Sequence, residues 1–172
     1  DVYKRQTVDN PVPTIEVLYS DHHGWLQGWL RRKLGDSFVA ADLAQDTFVS
    51  VITSGTAADI REPRSFLTTI ARRLMAHRHR RQLLEESYLQ ALAAMPEELL
   101  PSPETQLLAL EAVQQIDDAL NGLAPMVREA FLLAHLEELT YAQIAERLKV
   151  SASSVKQYLS RANRQCLFAL AA

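Results

Sequence analysis

Residues 140–164 read TYAQIAERLKVSASSVKQYLSRANR, a pattern of two helices joined by a tight turn. Thr140 and Gln143 have the spacing of a capping box, which begins the first helix. Lys149 interrupts the apolar pattern at a position where glycine is common, so a left-handed turn there would carry a modest strain. Ser151 follows as the cap of the second helix. The order of these signals is typical of a helix-turn-helix that reads a DNA major groove.

The second helix of this segment has two distinct faces. Val155, Leu159 and Ala162 recur at the spacing of a buried stripe. The opposite face carries donors and cations suited to base edges and phosphates: Ser153, Ser154, Lys156, Gln157, Ser160, Arg161 and Arg164. A helical hairpin with a merely solvated face is the alternative. The short serines favour DNA, because a solvated helix more often carries Glu and Lys.

Charge is segregated along the chain, although a net charge of -3 and a pI near 6.0 would alone argue against a nucleic-acid binder. Residues 61–81 contain seven arginines and two histidines against Glu62 alone, and residues 85–138 contain eleven acidic residues opposed only by Arg128. After Glu146 every charged side chain is basic. The pattern predicts two DNA-facing surfaces, with an acidic middle that either repels DNA or meets a basic partner.

Helical periodicity extends over almost the whole chain, and no window alternates for long enough to predict a strand. We therefore expect an all-α fold of two small helical domains joined by a flexible linker. The boundaries that we predict are a disordered tail at 1–13, a first domain at 14–83, a linker at 84–104 and a second domain at 105–172. The linker is placed where the pattern weakens around Pro96, Pro101 and Pro103.

Several functional classes lack their usual signals. No apolar run approaches the length of a membrane span and no leader is visible, so we expect a cytoplasmic protein. The single cysteine, Cys166, fits burial better than redox chemistry. Metal binding by the pairs His22-His23 and His77-x-His79 is disfavoured, because no carboxylate stands beside the second pair at helical spacing. We interpret His22 as a core or interface residue and His79 as part of the basic surface. The sequence predicts no enzyme activity, cofactor, metal or small-molecule substrate.

Residues 42–48, DLAQDTF, lie on a predicted helix with two faces. Ala44, Phe48 and Val51 are placed to face the core. A second set forms a polar ridge that ends in one apolar residue, at the spacing i, i+3, i+4 and i+7: Asp42, Gln45, Asp46 and Val49. By periodicity alone, a solvated face is the simpler interpretation of this ridge.

The order of these segments resembles the bacterial RNA polymerase sigma factors of the extracytoplasmic-function group. The likeness rests on DLAQDTF at 42–48, EPRSFLTTIARRLMAHRHRR at 62–81 and LTYAQIAERLKVSASSVKQYLSRA at 139–162. Within the group, HHGWLQGWLRRKLG at 22–35, REAFLL at 128–133 and SSVKQYL resemble the iron-starvation, ferric-citrate type. The resemblance covers nearly everything from residue 15 to residue 170.

The resemblance implies that the first domain is region 2-like and the second is region 4-like. It implies that the ridge at Asp42, Gln45, Asp46 and Val49 docks on core RNA polymerase. It also implies that loop 54–62 captures a base flipped out of the minus-ten element, while helix 64–81 follows the phosphates of the single strand. The residues expected to contact promoter DNA are Ser153, Ser154, Lys156, Gln157, Arg161, Arg64, Arg72, Arg73 and Arg80.

Three alternatives stay open at this point. Ion pairing with the acidic segment is the alternative for Arg72, Arg73 and Arg80, although DNA contact is the preferred interpretation of the arginine cluster. The chain as a whole fits a stand-alone helix-turn-helix regulator or an all-α protein-protein adaptor.

The resemblance further implies control of iron-uptake genes by a membrane-bound anti-sigma or regulator protein.

Overall fold

The computed structural model describes residues 14–171, so the predicted disordered tail at 1–13 lies outside the described residues. Over that range the chain forms α-helices, two short 3-10 helices and no strand, which confirms the predicted all-α class. The helices are α1 (Ile15–Leu34), α2 (Ser37–Ser54), α3 (Pro63–Ala93), α4 (Pro103–Asn121), α5 (Pro125–His135), α6 (Tyr141–Leu148) and α7 (Ala152–Ala171). None of these helices is long and apolar enough to cross a membrane.

Within residues 14–171, contacts divide the chain into two compact units, with the boundary between Ala76 and His77. The boundary falls inside α3, so that helix contributes its first half to one unit and its second half to the other. Each unit has its own hydrophobic core.

In the first unit, α1, α2 and the start of α3 enclose one core, whose buried members include Leu26, Phe48 and Leu67. Gly35 ends α1 in the left-handed conformation, with φ 73°, where any Cβ would add strain. Asp36 then begins α2, because its carboxylate accepts the backbone N–H groups of Phe38 and Val39 at 2.8 and 3.0 Å.

In the second unit, α4 to α7 pack around two adjoining clusters of buried side chains. Leu120, Phe131 and Cys166 belong to one cluster, and Ile144 and Leu159 to the other. The prolines at 103 and 125 open α4 and α5, because a missing N–H costs nothing in the first turn. Pro103 was expected in the linker, so α4 begins two residues before the predicted second domain.

The end of α3 differs from the sequence prediction. The helix continues through Ala93, so the first ten residues of the predicted linker at 84–104 are helical. Residues 84–93 contain no proline and are mostly good helix formers, and Leu84 packs against the core of the second unit. The proline-rich stretch that follows contains only the short 3-10 helix Glu97–Leu99 before Ser102 caps α4.

Candidate nucleic-acid interface

Helices α6 and α7 form the predicted helix-turn-helix. Thr140 Oγ1 accepts the N–H of Gln143 at 3.3 Å, and the Thr140 N–H donates to Gln143 Oε1 at 2.8 Å, so the capping box is complete. Lys149 adopts φ 56° and ψ 45°, which is the left-handed turn expected from its position. Ser151 Oγ accepts the N–H of Ser154 at 3.1 Å and so caps the start of α7. These local predictions are confirmed.

The inner stripe of α7 is also confirmed. Val155 and Ala162 are completely buried and Leu159 is nearly so, and Val155 and Leu159 pack with Ile144 of α6. Burial of this stripe fixes the rotation of α7 about its axis. The polar side chains on the other side are therefore held outward.

The outer face of α7 is a continuous polar and cationic surface. It borders an open depression of about 380 Å³ that is lined by Lys156, Gln157, Ser160, Arg161 and Arg164. Within the described part of the chain, none of these three cations forms an ion pair with a carboxylate. The surface is thus available to an anionic partner such as a phosphate.

Among the predicted α7 contacts, Ser154 differs from its neighbours. Ser153, Lys156, Gln157 and Arg161 are exposed, whereas Ser154 is half-buried and its hydroxyl lies 2.9 Å from Ser151 Oγ. Ser154 therefore has a structural partner at the cap.

The polar ridge of α2 is exposed along its length. Asp42, Gln45, Asp46 and Val49 all lie on the side of α2 opposite its buried residues. Two large apolar side chains that the sequence analysis missed extend this face: Phe38 is 89% exposed and Ile52 is 59% exposed. Their spacing from Val49 is helical, so the signal was present in the sequence. Together these six residues are called the α2 ridge below.

The loop between α2 and α3 borders a second open depression, of about 450 Å³. A 3-10 helix, Ala57–Asp59, shapes the loop, and the depression is lined by Ile60, Arg61, Glu62, Ser65, Phe66 and Thr69. Polar and aromatic side chains are therefore combined in the segment to which the resemblance assigns base capture.

The arginines of α3 have different environments. Arg64 and Arg73 are exposed, and Arg72 is exposed with its guanidinium over the ring of Trp29. Arg64 lies over the ring of Trp25 in the same manner. These three residues retain the exposure that a DNA contact requires.

The burial of Arg80 corrects the expectation that this residue contacts DNA. Its side chain is 6% exposed, its Nε donates to Asp117 Oδ1 at 3.0 Å, and its Nη2 donates to Asn121 Oδ1 at 3.1 Å. Of the two alternatives for this residue, the structure favours pairing with the acidic segment. A buried guanidinium needs such a carboxylate, because an unpaired buried charge is strongly unfavourable.

Asp117 is the centre of a cluster that joins α3 to α4 within the second unit. Its carboxylate is fully buried and also accepts Arg81 Nε at 3.2 Å, while Arg81 Nη2 donates to the exposed Asp118 at 3.3 Å. His77 Nε2 lies 2.5 Å from Asp117 Oδ2 without the alignment of a hydrogen bond. These six residues are called the Asp117 cluster below: His77, Arg80, Arg81, Asp117, Asp118 and Asn121.

The Asp117 cluster brings together the donor atoms of a possible cation site, which the sequence analysis missed. His77, Asp117 and Asp118 offer ligand atoms within 4.8 Å of one another. Asp117 is already neutralised by two guanidinium groups, which a cation would have to displace or tolerate. Ion pairing within the chain is therefore the better account of these residues.

Two further titratable groups reflect the packing of the second unit. Burial lowers the pKa of Arg128, and the nearby positive charge of Arg80 lowers it further. Burial raises the pKa of the Cys166 thiol, in agreement with the predicted apolar role of this cysteine.

The fold and surfaces together define an all-α, helix-turn-helix protein with a second helical unit. Comparison with known families matches residues 18–83 to Sigma-70 region 2 and residues 113–166 to Sigma-70, region 4. These matches cover more than half of the chain. The chain belongs to the sigma-70 family of sigma factors, in its extracytoplasmic-function group.

Two curated relatives agree with this assignment. The ferric citrate uptake sigma factor FecI of Escherichia coli (strain K12) is 53% identical over 90% of this chain and 89% of its own length. The extracytoplasmic-function RNA polymerase sigma factor SigK of Mycobacterium sp. (strain KMS) is 26% identical over 97% of this chain and 90% of its own length. A chain of the solved RsbN–BldN complex is 19% identical, with 90% of this chain and 89% of that chain covered at a TM-score of 0.34.

Proposed function

We propose that the chain binds core RNA polymerase and directs it to promoters, with the α2 ridge as the docking surface and two DNA elements read by different parts of the chain. The polymerase supplies the chemistry, and this chain acts in the cytoplasm as a specificity subunit without enzyme activity. One observation carries the proposal: a chain of the sigma-70 family exposes both the cationic outer face of its helix-turn-helix and the α2 ridge.

The proposed assignments follow the exposure of the residues. Residues 14–83 would act as the region 2-like domain and 105–172 as the region 4-like domain. The loop depression beside Phe66 is the proposed minus-ten pocket, and Arg64, Arg72 and Arg73 are the proposed phosphate contacts. The outer face of α7 is the proposed minus-thirty-five reader.

The target genes are proposed from the first of these relatives. That protein is described as a ferric citrate uptake sigma factor, and 53% identity over most of both chains supports a related role in iron uptake. Control by a membrane-associated anti-sigma or regulator protein is part of the same proposal.

A gel-shift experiment with purified components tests docking and DNA recognition together. We expect weak DNA binding by the chain alone and strong, sequence-specific binding after core polymerase is added. Val49→Asp places a charge within the α2 ridge and should abolish the gain, whereas Gln114→Asp adds the same charge at an exposed site of α4 and should not. Tight binding without polymerase would favour a stand-alone regulator, and no DNA binding in either condition would favour an adaptor.

Substitutions on α7 separate base contacts from phosphate contacts. If Arg161 reads a guanine edge, Arg161→Ala should relax preference at one base pair and cost about 1–3 kcal/mol of binding free energy. If Lys156 contacts phosphate, Lys156→Ala should weaken all sites alike and reduce the salt dependence by about one charge. Binding of each holoenzyme to a library of minus-thirty-five variants, at several salt concentrations, measures both effects. Unchanged affinity and preference in both variants would remove α7 from the proposed reader.

A further inference from the structure

Two tryptophans of α1 lie against two arginines of α3 in the first unit. The Cζ atom of Arg64 is 4.8 Å from the ring centroid of Trp25, and that of Arg72 is 5.7 Å from the ring centroid of Trp29. Both rings are half-buried against the core of the unit, and both arginines are exposed. Each arginine–tryptophan pair is called a stack below: its ring is held against the core, and its guanidinium belongs to an exposed side chain. Lys33 is a second cation at Trp29, with its Nζ 5.8 Å from the ring centroid.

The stacks have a chemical consequence for the guanidinium groups. A cation over an aromatic face is attracted by the ring quadrupole, and a planar guanidinium can stack without giving up its in-plane N–H donors. Within residues 14–171, neither Arg64 nor Arg72 pairs with a carboxylate. The donors of both arginines are thus oriented by a ring and left for an external anion, in contrast to those of Arg80.

The spacing suits a polyanion better than a single small anion. Arg64 and Arg72 are eight residues apart on α3, which corresponds to about 12 Å along the helix axis. Arg64 also stands at the start of α3, immediately before Ser65 and Phe66 of the loop depression. An extended strand that enters the depression would pass both stacks.

We propose that Trp25 and Trp29 are positioning residues for DNA opening, which hold Arg64 and Arg72 in the orientation that binds phosphates of the separated strand. The inference rests on the proposed function. Each ring restricts the rotamers of its arginine before DNA binds. The arginine therefore loses less conformational entropy when it contacts a phosphate. The rings act through the arginines and do not themselves contact the bases.

The test measures strand opening by the wild-type and variant holoenzymes, with a fluorescent base analogue in the minus-ten element of a promoter that the wild type opens. Trp25→Leu should slow opening roughly two- to fivefold, as expected for loss of an exposed cation–π pair. Trp25→Tyr and Trp25→Phe should fall between Trp and Leu in that order, because ring strength decreases in the same order. The same series at Trp29 addresses the second stack.

A double-mutant cycle distinguishes positioning from packing. In an Arg64→Gln background, Trp25→Leu should have no further effect on opening, since the stacked guanidinium is already absent. Arg64→Lys should also lose most of the coupling, because lysine keeps the charge but not the planar donors. Thermal unfolding of each free variant reports the packing contribution of the ring separately.

The outcomes separate this inference from the proposed function. Equal slowing by Trp25→Leu with Arg64 or Gln at position 64 would overturn the inference, as would equal rates for the Tyr, Phe and Leu variants. Should Trp25→Leu fail to fold, the Tyr and Phe variants in both backgrounds carry the same decision. If the wild-type holoenzyme opens no promoter at all, it is the proposed function that fails.

Discussion

At the scale of single residues, Asp117 shows how tertiary contacts assign charges that sequence patterns leave ambiguous. Arg80 and Arg64 belong to one basic run, yet Arg80 is buried against Asp117, thirty-seven residues away, and Arg64 is exposed over Trp25. Periodicity places both on a helix but does not say which carboxylate or ring will lie opposite. The sequence could therefore predict a cationic helix, and its partners only as alternatives.

Removal of the Asp117 charge should destabilise the second unit strongly. Asp117→Asn leaves Arg80 buried without its carboxylate, which should lower the free energy of unfolding by about 3–5 kcal/mol. Asp118→Asn, the exposed neighbour, is the matched control and should cost less than about 1 kcal/mol. Thermal and urea unfolding measure both. Similar stabilities for the two variants would show that the Asp117 cluster is not a buried ion-pair network.

The Cys166 thiol should react slowly in the folded chain. Burial favours the neutral thiol and raises its pKa, so the reactive thiolate should become abundant only at a higher pH than in an unfolded peptide. Because the raised pKa belongs to the folded state, its contribution to stability is complete below the unfolded pKa and is lost as pH rises through the folded pKa. The rate of labelling by a maleimide as a function of pH, native and in denaturant, checks this. Equal native and denatured rates would contradict the burial.

At the scale of elements, prediction succeeded where the signals are local. The helix-turn-helix boundaries follow from Thr140, Lys149 and Ser151, whose capping bonds span only three or four residues. The end of α3 was predicted too early. Pro96 marks only the latest position at which the helix must stop, and the packing of Leu84 against the second unit favours a helix that continues toward Pro96. Exposed Phe38 and Ile52 were missed for a different reason: their helical spacing from Val49 is visible in the sequence, but an apolar side chain does not by itself indicate an exposed face.

The turn of the helix-turn-helix stores a small strain at Lys149. The left-handed backbone is unfavourable by about 1–2 kcal/mol for a residue with a Cβ. Glycine would recover only part of this free energy, because glycine loses more conformational entropy on folding. Lys149→Gly should therefore raise the melting temperature of the second unit by roughly 2–4 °C. Lys149→Ala keeps the Cβ and is the control, and calorimetry compares the two. An equal rise for both would attribute the effect to the lost charge and not to the backbone.

At the scale of the whole molecule, the opposed charge segments are partly neutralised within the chain. The acidic middle was expected either to repel DNA or to meet a basic partner, and for Asp117 and Asp118 that partner includes Arg80 and Arg81 of the same chain. The charges that remain exposed on α3 and α7 then define the two surfaces proposed to meet DNA. Because exposed cations are concentrated on these two surfaces, an overall charge of -3 is compatible with a promoter-binding subunit.

The most direct test of promoter specificity is a transcript-start map with purified core polymerase, with and without this chain, on genomic DNA. The account predicts that the chain adds a defined set of start sites, each preceded by the same two sequence elements at constant spacing. Start sites that match those of core polymerase alone, or that share no upstream sequence, would contradict it.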